Sequence, residues 1–313
     1  MNRAVLRIGT RGSKLALWQA KWVANRLEAD AVKTELVTVS TRGDKELAGP
    51  IASLGGEGAF TKELQKAVLD GRIDLAVHSL KDLPTEEAKG LALSAVPLRD
   101  SPHDALISRA GTRFADLSIG ARIGTGSLRR RCQLLHLRAD LQMLDIRGNV
   151  ETRLEKLADG QYDAIILAEA GLARLGLAER ATELLPPAVM LPAIGQGALA
   201  LETRAGDRLT REIVARIDDE EAHRSVLAER ALLATLRGGC LAPIAAWGRI
   251  EDDGRLHLSA CVLSADGSRR LAADVLGNAA DAVTIGRHAA EQLLDQGAAK
   301  LIADARSARA REQ

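Results

Sequence analysis

Short apolar runs alternate along this chain with longer stretches of helical period, and the alternation repeats. Val5 to Gly9 predicts a strand, and Ser13 stands as an N-cap before a helix predicted over Lys14 to about Glu28. Leu15, Trp18 and Trp22 recur at helical spacing and read as core. A strand over Thr34 to Val39 leads through Arg42-Gly43-Asp44 into Ile51-Ala52-Ser53-Leu54-Gly55-Gly56-Glu57-Gly58, where three glycines in four positions predict a mobile cover. A helix from about Phe60 to Leu69 gives way to Ile73, Leu75, Ala76 and Val77, the near-continuous apolar run of a strand buried on both faces. Pro84 biases Leu83 away from helix, so Lys81 and Asp82 should emerge in a turn at the strand's carboxyl edge. Ligands of open α/β sheets bind at that edge.

The grammar recurs further on. Ile8-Gly9-Thr10-Arg11-Gly12-Ser13 is echoed by Ile123-Gly124-Thr125-Gly126-Ser127, and Leu69-Asp70-Gly71-Arg72-Ile73-Asp74-Leu75-Ala76 by Ala158-Asp159-Gly160-Gln161-Tyr162-Asp163-Ala164-Ile165. The echo predicts an α/β protein of two similar lobes with mixed sheets, their carboxyl edges bounding a cleft, an arrangement that resembles periplasmic-type binding folds. Lobe 1 takes residues 1–97 with 198–217, entered by a strand over Gly195 to Leu201, and lobe 2 takes 98–197. A small α+β domain follows over 218–313: a helix at about Glu220 to Leu236, short strands near Ala245, His257 to Val262 and Leu271 to Val275, and a helix from about Ala280 to Leu294.

Composition narrows the function. The 313 residues carry 43 Lys plus Arg against 42 Asp plus Glu, so no global charge draws the chain to nucleic acid or membrane. Aromatics make up only 2%, too few for base-stacking platforms. No apolar stretch reaches the roughly 20 residues of a membrane span. Cys132, Cys240 and Cys261 form no zinc-type spacing and suit a reducing, cytoplasmic setting, and the histidines show no metal-ligand spacing.

Arginines stand where helix physics disfavours them. Arg129 and Arg130 follow the cap Ser127, in a first turn where the dipole opposes cations by about 0.3–1 kcal/mol each, so something anionic should compensate. Arg11, Arg147 and Arg153 also belong near carboxyl edges, and helix N-termini with guanidinium groups suit carboxylates or phosphates. Cys240, behind Gly238 and Gly239, can project a thiol that Arg237 would favour as thiolate; Cys132 and Cys261 read as small core residues, and His78 as a structural histidine. These residues alone also support a non-enzymatic two-lobe binder of a small polycarboxylate, but such a binder needs neither the thiol nor the acid.

Val77-His78-Ser79-Leu80-Lys81-Asp82-Leu83-Pro84, Gly124-Thr125-Gly126-Ser127-Leu128-Arg129-Arg130, Arg147-Gly148-Asn149, Gly195-Gln196-Gly197 and Gly238-Gly239-Cys240, in this order and spacing, closely resemble the porphobilinogen deaminase family over essentially the whole chain. The resemblance implies a monomeric transferase of tetrapyrrole and heme biosynthesis. It would add four porphobilinogen units in turn, each with loss of ammonia, to a dipyrromethane cofactor held by Cys240 through a thioether, and water would release hydroxymethylbilane. By the same likeness Asp82 is the catalytic carboxylate. Lys81, Ser13, Ser127, Arg129, Arg130, Arg147 and Asp44 would hold the cofactor, and Arg11, Arg147, Arg153, Arg174, Ser79 and Gln196 the substrate. Gly55, Gly56, Glu57, Gly58 and Phe60 would form the lid loop, and no metal is implied. The chain departs from the family pattern at Glu57 and Ser53, which lack the lid's usual positive charge, at Gly12 and Gly126, and at Arg237, where an acid is usual.

Overall fold

The computed structural model describes residues 5–40, 61–239 and 242–311. Asp44, Ser53, Gly55, Gly56, Glu57, Gly58, Phe60 and Cys240 lie outside the described residues. The chain forms two compact units, Met1–Asp100 with Ala198–His223 and Ser101–Gly197 with Arg224–Gln313. Strands β1 (Leu6–Thr10), β2 (Thr34–Thr38), β3 (Leu75–Ser79) and β4 (Leu91–Ala95) belong to the first unit, and β5 (Asp104–Ser108), β6 (Arg122–Gly124), β7 (Gln142–Leu144), β8 (Ala164–Ala168) and β9 (Glu183–Leu185) to the second. The strand β10 (Leu199–Arg204) belongs to the first again, and β11 (Ile244–Ile250), β12 (Arg255–Leu263) and β13 (Arg270–Asn278) to the second.

Two five-stranded sheets share one plan, with orders β2-β1-β3-β10-β4 and β7-β6-β8-β5-β9. In each, the first three strands are parallel, the fourth is antiparallel to the third, and the fifth antiparallel to the fourth. These are the two mixed-sheet lobes that the echo predicts.

The echo has a side-chain basis. A Cβ on Gly9 would lie 2.1 Å from Ile73 Cδ1, and one on Gly124 would lie 2.9 Å from Tyr162 Cδ1, so each glycine leaves room for the large residue before the third strand of its lobe. The aspartate after that residue clamps the first strand. Asp74 Oδ2 accepts from the Arg7 backbone N–H at 3.1 Å and from its Nε at 3.0 Å, and Asp163 Oδ2 accepts from the same two groups of Arg122 at 2.9 and 3.2 Å. In each lobe a second arginine approaches from the end of the antiparallel strand: Arg204 at 2.9 Å from Asp74 and Arg109 at 3.8 Å from Asp163. These cations hold the amino edges of the parallel strands and leave the carboxyl edges to other chemistry.

The C-terminal part is α+β, with the antiparallel order β11-β12-β13. Its core joins Leu256, Leu258, Ala260 and Val262 of β12 to Ala228, Leu232 and Leu236 of helix Glu220–Leu236 and to Ile285, Ala289 and Leu293 of helix Ala282–Asp295. A further helix, Ala298–Arg311, has no counterpart in the sequence reading, although Ala298, Leu301, Ile302 and Ala305 are buried at helical spacing. Among the described residues no helix is long and apolar enough to cross a membrane.

One expectation is corrected. Gly195-Gln196-Gly197 is not the start of a strand; both glycines have positive φ, +70° and +87°, in a turn, and β10 begins only at Leu199. On helix Lys14–Ala29 the buried stripe is Ala20, Val23, Ala24 and Leu27. Trp18 and Trp22 are half-buried beside it; Trp22 packs against the core as its helical spacing predicts, and Arg26 stacks 5.2 Å over its ring.

Candidate active site

In the first unit, β3 passes directly into a single 3₁₀ turn, Leu80–Asp82. The Leu80 N–H donates to Ala198 O at 3.0 Å and the Leu83 N–H to Leu80 O at 3.0 Å. Leu80 and Leu83 are sunk in the protein while Lys81 and Asp82 between them stay half-exposed. Two apolar anchors thus flank the carboxylate, which fixes where Asp82 can reach. The strand behind it is tied down as well. Gln19 Nε2 donates to Ser79 Oγ at 2.8 Å, and buried His78 Nε2 lies 3.2 Å from Glu202 Oε2, whose other oxygen accepts from Gln65 at 3.0 Å. His78 is therefore the satisfied structural histidine of the sequence reading. Arg11 and Ser13 stand at the carboxyl end of neighbouring β1, where Ser13 Oγ accepts from the Ala16 N–H at 3.3 Å as an N-cap.

In the second unit, Ser127 caps helix Leu128–Leu137 and Asn149 caps helix Val150–Ala158, through Oγ to the Arg130 N–H at 3.5 Å and Oδ1 to the Thr152 N–H at 2.9 Å. The anion that compensates Arg129 and Arg130 comes from the chain itself. Asp104, at 0% exposure on β5, accepts from Arg130 Nη2 at 2.7 Å and Nε at 3.0 Å, and its other oxygen lies 2.8 Å from Arg129 Nη1. Burial alone pushes the Asp104 carboxyl up, but the charges and hydrogen bonds of the two guanidinium groups together hold it well below the usual carboxylate range. Each arginine also reaches a carbonyl, Arg129 to Leu191 O at 2.7 Å and Arg130 to Ile166 O at 3.0 Å.

Gln196, expected at substrate, is fully buried, and its Nε2 donates to Pro102 O, His103 O and Asp104 Oδ1 at 2.7, 3.2 and 3.0 Å. Its amide thus holds the entry to β5. Arg174, also buried, donates to Gly197 O at 2.6 Å in the same turn. Arg147 and Arg153 remain half-exposed beside this framework. Burial, then the charges of Arg130 and Arg147, push the Arg153 guanidinium down to about 10, so three cations share one neighbourhood. Such a donor set, next to two helix N-termini, fits a ligand with several carboxylates.

The approach to Cys240 is built as a helix stop. The Gly238 N–H donates to Leu233 O and the Arg237 N–H to Ala234 O, the paired bonds of a Schellman motif, with Arg237 at φ +50° in the position that glycine usually fills. Glu229, fully buried on that helix, accepts from the Gly195 N–H at 2.6 Å and the Gly248 N–H at 2.8 Å, and so ties the Gln196 turn to it. Cys132 and Cys261 are buried free thiols. Burial pushes the Cys132 thiol up to about 12 and that of Cys261 up to about 11.

The structure therefore brings Arg130, Arg147 and Arg153 together, with Ser127 beside them, and sets Ser79, Lys81 and Asp82 along one strand end. Asp104, Gln19 and Glu229 complete these arrangements, and the sequence reading missed all three. A lone aspartate opening an otherwise apolar strand, Asp104-Ala105-Leu106-Ile107, was the available signal, because a buried charge needs a partner.

Residues 6–212 match the family model described as porphobilinogen deaminase, dipyromethane cofactor binding domain, and residues 223–295 match the porphobilinogen deaminase C-terminal domain. The porphobilinogen deaminase of Geobacter metallireducens is 50% identical over 301 residues, 96% of this chain and 94% of the relative. That of Geobacter sulfurreducens is 48% identical over 306 residues, 97% and 95% of the two chains. Among solved structures, a periplasmic substrate-binding protein of an ABC transporter from Coxiella burnetii aligns at a TM-score of 0.43 and 15% identity, covering 68% of this chain and 91% of that one. With family models matched along both the lobes and the C-terminal part, and relatives near half identity over almost the full length, the chain belongs to the porphobilinogen deaminase family.

Proposed function

We propose that the protein is a transferase that condenses four porphobilinogen units head to tail, with loss of ammonia, on a dipyrromethane bound through a thioether to Cys240, and then releases hydroxymethylbilane to water. The observation that carries this reading is that Arg130, Arg147 and Arg153 gather beside the N-termini of helices Leu128–Leu137 and Val150–Ala158, a donor set that suits a ligand with several carboxylates. Every pyrrole unit of such a product bears an acetate and a propionate. The bound dipyrromethane supplies the free pyrrole carbon from which the product is lengthened.

The chain's own residues then divide the work. Arg11, Arg147 and Arg153 pair with substrate carboxylates, while Arg129 and Arg130, oriented by Asp104, lend their charge to cofactor carboxylates with Ser13, Ser127, Lys81 and Asp44. Ser79 orients substrate, and Gln196 and Arg174 hold the turn that frames β5. Asp82 stabilises positive charge on the pyrrole nitrogen as ammonia departs, and it carries the proton that the new bond displaces. Gly55, Gly56, Glu57, Gly58 and Phe60 serve as lid. The family likeness favours a monomer and the cysteine spacing a cytoplasmic setting, while balanced charge and scarce aromatics speak against nucleic acid and membrane as partners.

Intact-protein mass spectrometry under denaturing conditions tests the reading. Wild type is expected to carry a mass excess of two linked pyrrole units, and Cys240→Ala none. A wild-type chain that stays bare even after incubation with porphobilinogen or hydroxymethylbilane would instead be a two-lobe binder of polycarboxylates.

A further inference from the structure

The β12–β13 turn meets the arginine-bearing helix backbone to backbone. Gly267 sits at φ +75°, and a Cβ there would lie 2.7 Å from Cys132 O, 2.7 Å from His136 N and 2.9 Å from the Leu135 carbonyl carbon. Two polar contacts lock the approach: His136 Nδ1 lies 2.8 Å from Gly267 O, and the Cys132 thiol donates to Ala265 O at 3.5 Å. Neither partner yields easily. Within the turn, Asp266 Oδ1 accepts from Ser264 Oγ at 2.5 Å, the Ser268 N–H at 3.1 Å and Ser268 Oγ at 2.9 Å. Beneath it, Cys261 and Leu263 of β12 pack with Cys132, Leu191 and Ala245.

Arg129, Cys132 and His136 follow at intervals of three and four, so they lie along one stripe of helix Leu128–Leu137. A push on the backbone at Cys132 and His136 therefore travels along the helix to Arg129 and Arg130. We propose that the β12–β13 turn, through Gly267, is a positioning element for the arginine helix: the C-terminal sheet sets where Arg129 and Arg130 present their charge. This rests on the functional reading above, in which that helix serves cofactor and substrate carboxylates.

Gly254, in the β11–β12 turn, provides the matched control. It has φ +78° and open space where its Cβ would stand, so Gly254→Ala imposes the same backbone strain without the collision. On purified holoenzyme, Gly267→Ala is expected to lower kcat/KM for porphobilinogen by roughly 10- to 100-fold, chiefly through KM, because displacements near 1 Å cost on that order. Gly254→Ala should stay within about twofold, since surface changes away from such contacts are small. Amide hydrogen exchange over residues 128–137 should rise in Gly267→Ala alone, a readout that stands even if wild type proves not to turn over porphobilinogen. Equal kinetics and equal exchange in the two variants overturn the proposal. Should Gly267→Ala fail to fold, His136→Ala removes only the bond to Gly267 O and is expected to raise KM about threefold to tenfold, on the scale of one hydrogen bond; an unchanged KM and unchanged exchange overturn the proposal equally.

Discussion

Asp82→Asn is expected to yield a folded protein that keeps its dipyrromethane and scarcely turns over. The turn that presents Asp82 is fixed through the Leu80 and Leu83 backbone bonds and by burial of those two leucines. An isosteric amide on a half-exposed side chain should change unfolding free energy by no more than about 0.5 kcal/mol. Its chemistry changes far more. An amide can neither balance positive charge on a pyrrole nitrogen nor take up and return a proton, and loss of a positioned acid–base group costs on the order of 10²- to 10⁴-fold in rate. We therefore expect kcat to fall by at least about 10²-fold with KM within about threefold, since the carboxylate-binding arginines are untouched. Single-turnover measurements with porphobilinogen, paired with denatured mass to confirm the bound cofactor, would show it. A variant that retains kcat within a few-fold of wild type removes Asp82 from the catalytic role.

What could be read from the sequence was what local pattern decides. Ser13 and Ser127 cap their helices as expected because a cap depends on residues three apart, and the echoed strands formed because Gly9 and Gly124 answer to Ile73 and Tyr162 in identical settings. The turn of Lys81 and Asp82 was legible for the same reason, with Pro84 closing it. The framework behind the arginines was not, because it is made of distant partners. Asp104 stands 26 residues before Arg130, and Glu229 stands 34 residues after Gly195. Sequence spacing signals a missing anion at Arg129 and Arg130 but cannot say that a strand of the same lobe supplies it. The tryptophan spacing was legible in part: Trp22 packs against the core of the first unit as its helical spacing predicts, while the fully buried stripe of the helix is made of the smaller Ala20, Val23 and Ala24 with Leu27.

That distant framework makes Asp104 a residue whose loss should strongly destabilise the second unit. Helix-dipole repulsion at Arg129 and Arg130 is worth at most about 1 kcal/mol each, whereas leaving a buried ion pair without one partner costs about 3–5 kcal/mol. Here one carboxylate serves two guanidinium groups, both buried, so Asp104→Ala belongs at the upper end of that range or beyond. Asp104→Asn keeps an acceptor for Arg130 and removes only the charge, and it should fall between Asp104→Ala and wild type. Acid titration supplies the sign. The carboxyl is held below its ordinary value in the native state, so its contribution is complete above the unfolded value of about 3.9 and is lost progressively as pH falls from there toward the native one. Denaturant unfolding of wild type should therefore show stability falling more steeply below about pH 4 than that of Asp104→Asn, in which the other depressed carboxyls, such as that of Asp163, still contribute a slope. If instead Asp104→Ala unfolds at the same denaturant concentration as wild type, the two arginines are not held by Asp104, and their charge is free to be balanced by a ligand alone. If the variant is destabilised as expected, and the surviving folded Asp104→Asn protein also shows a raised KM, the same ion pair both holds the second lobe together and aims its cations.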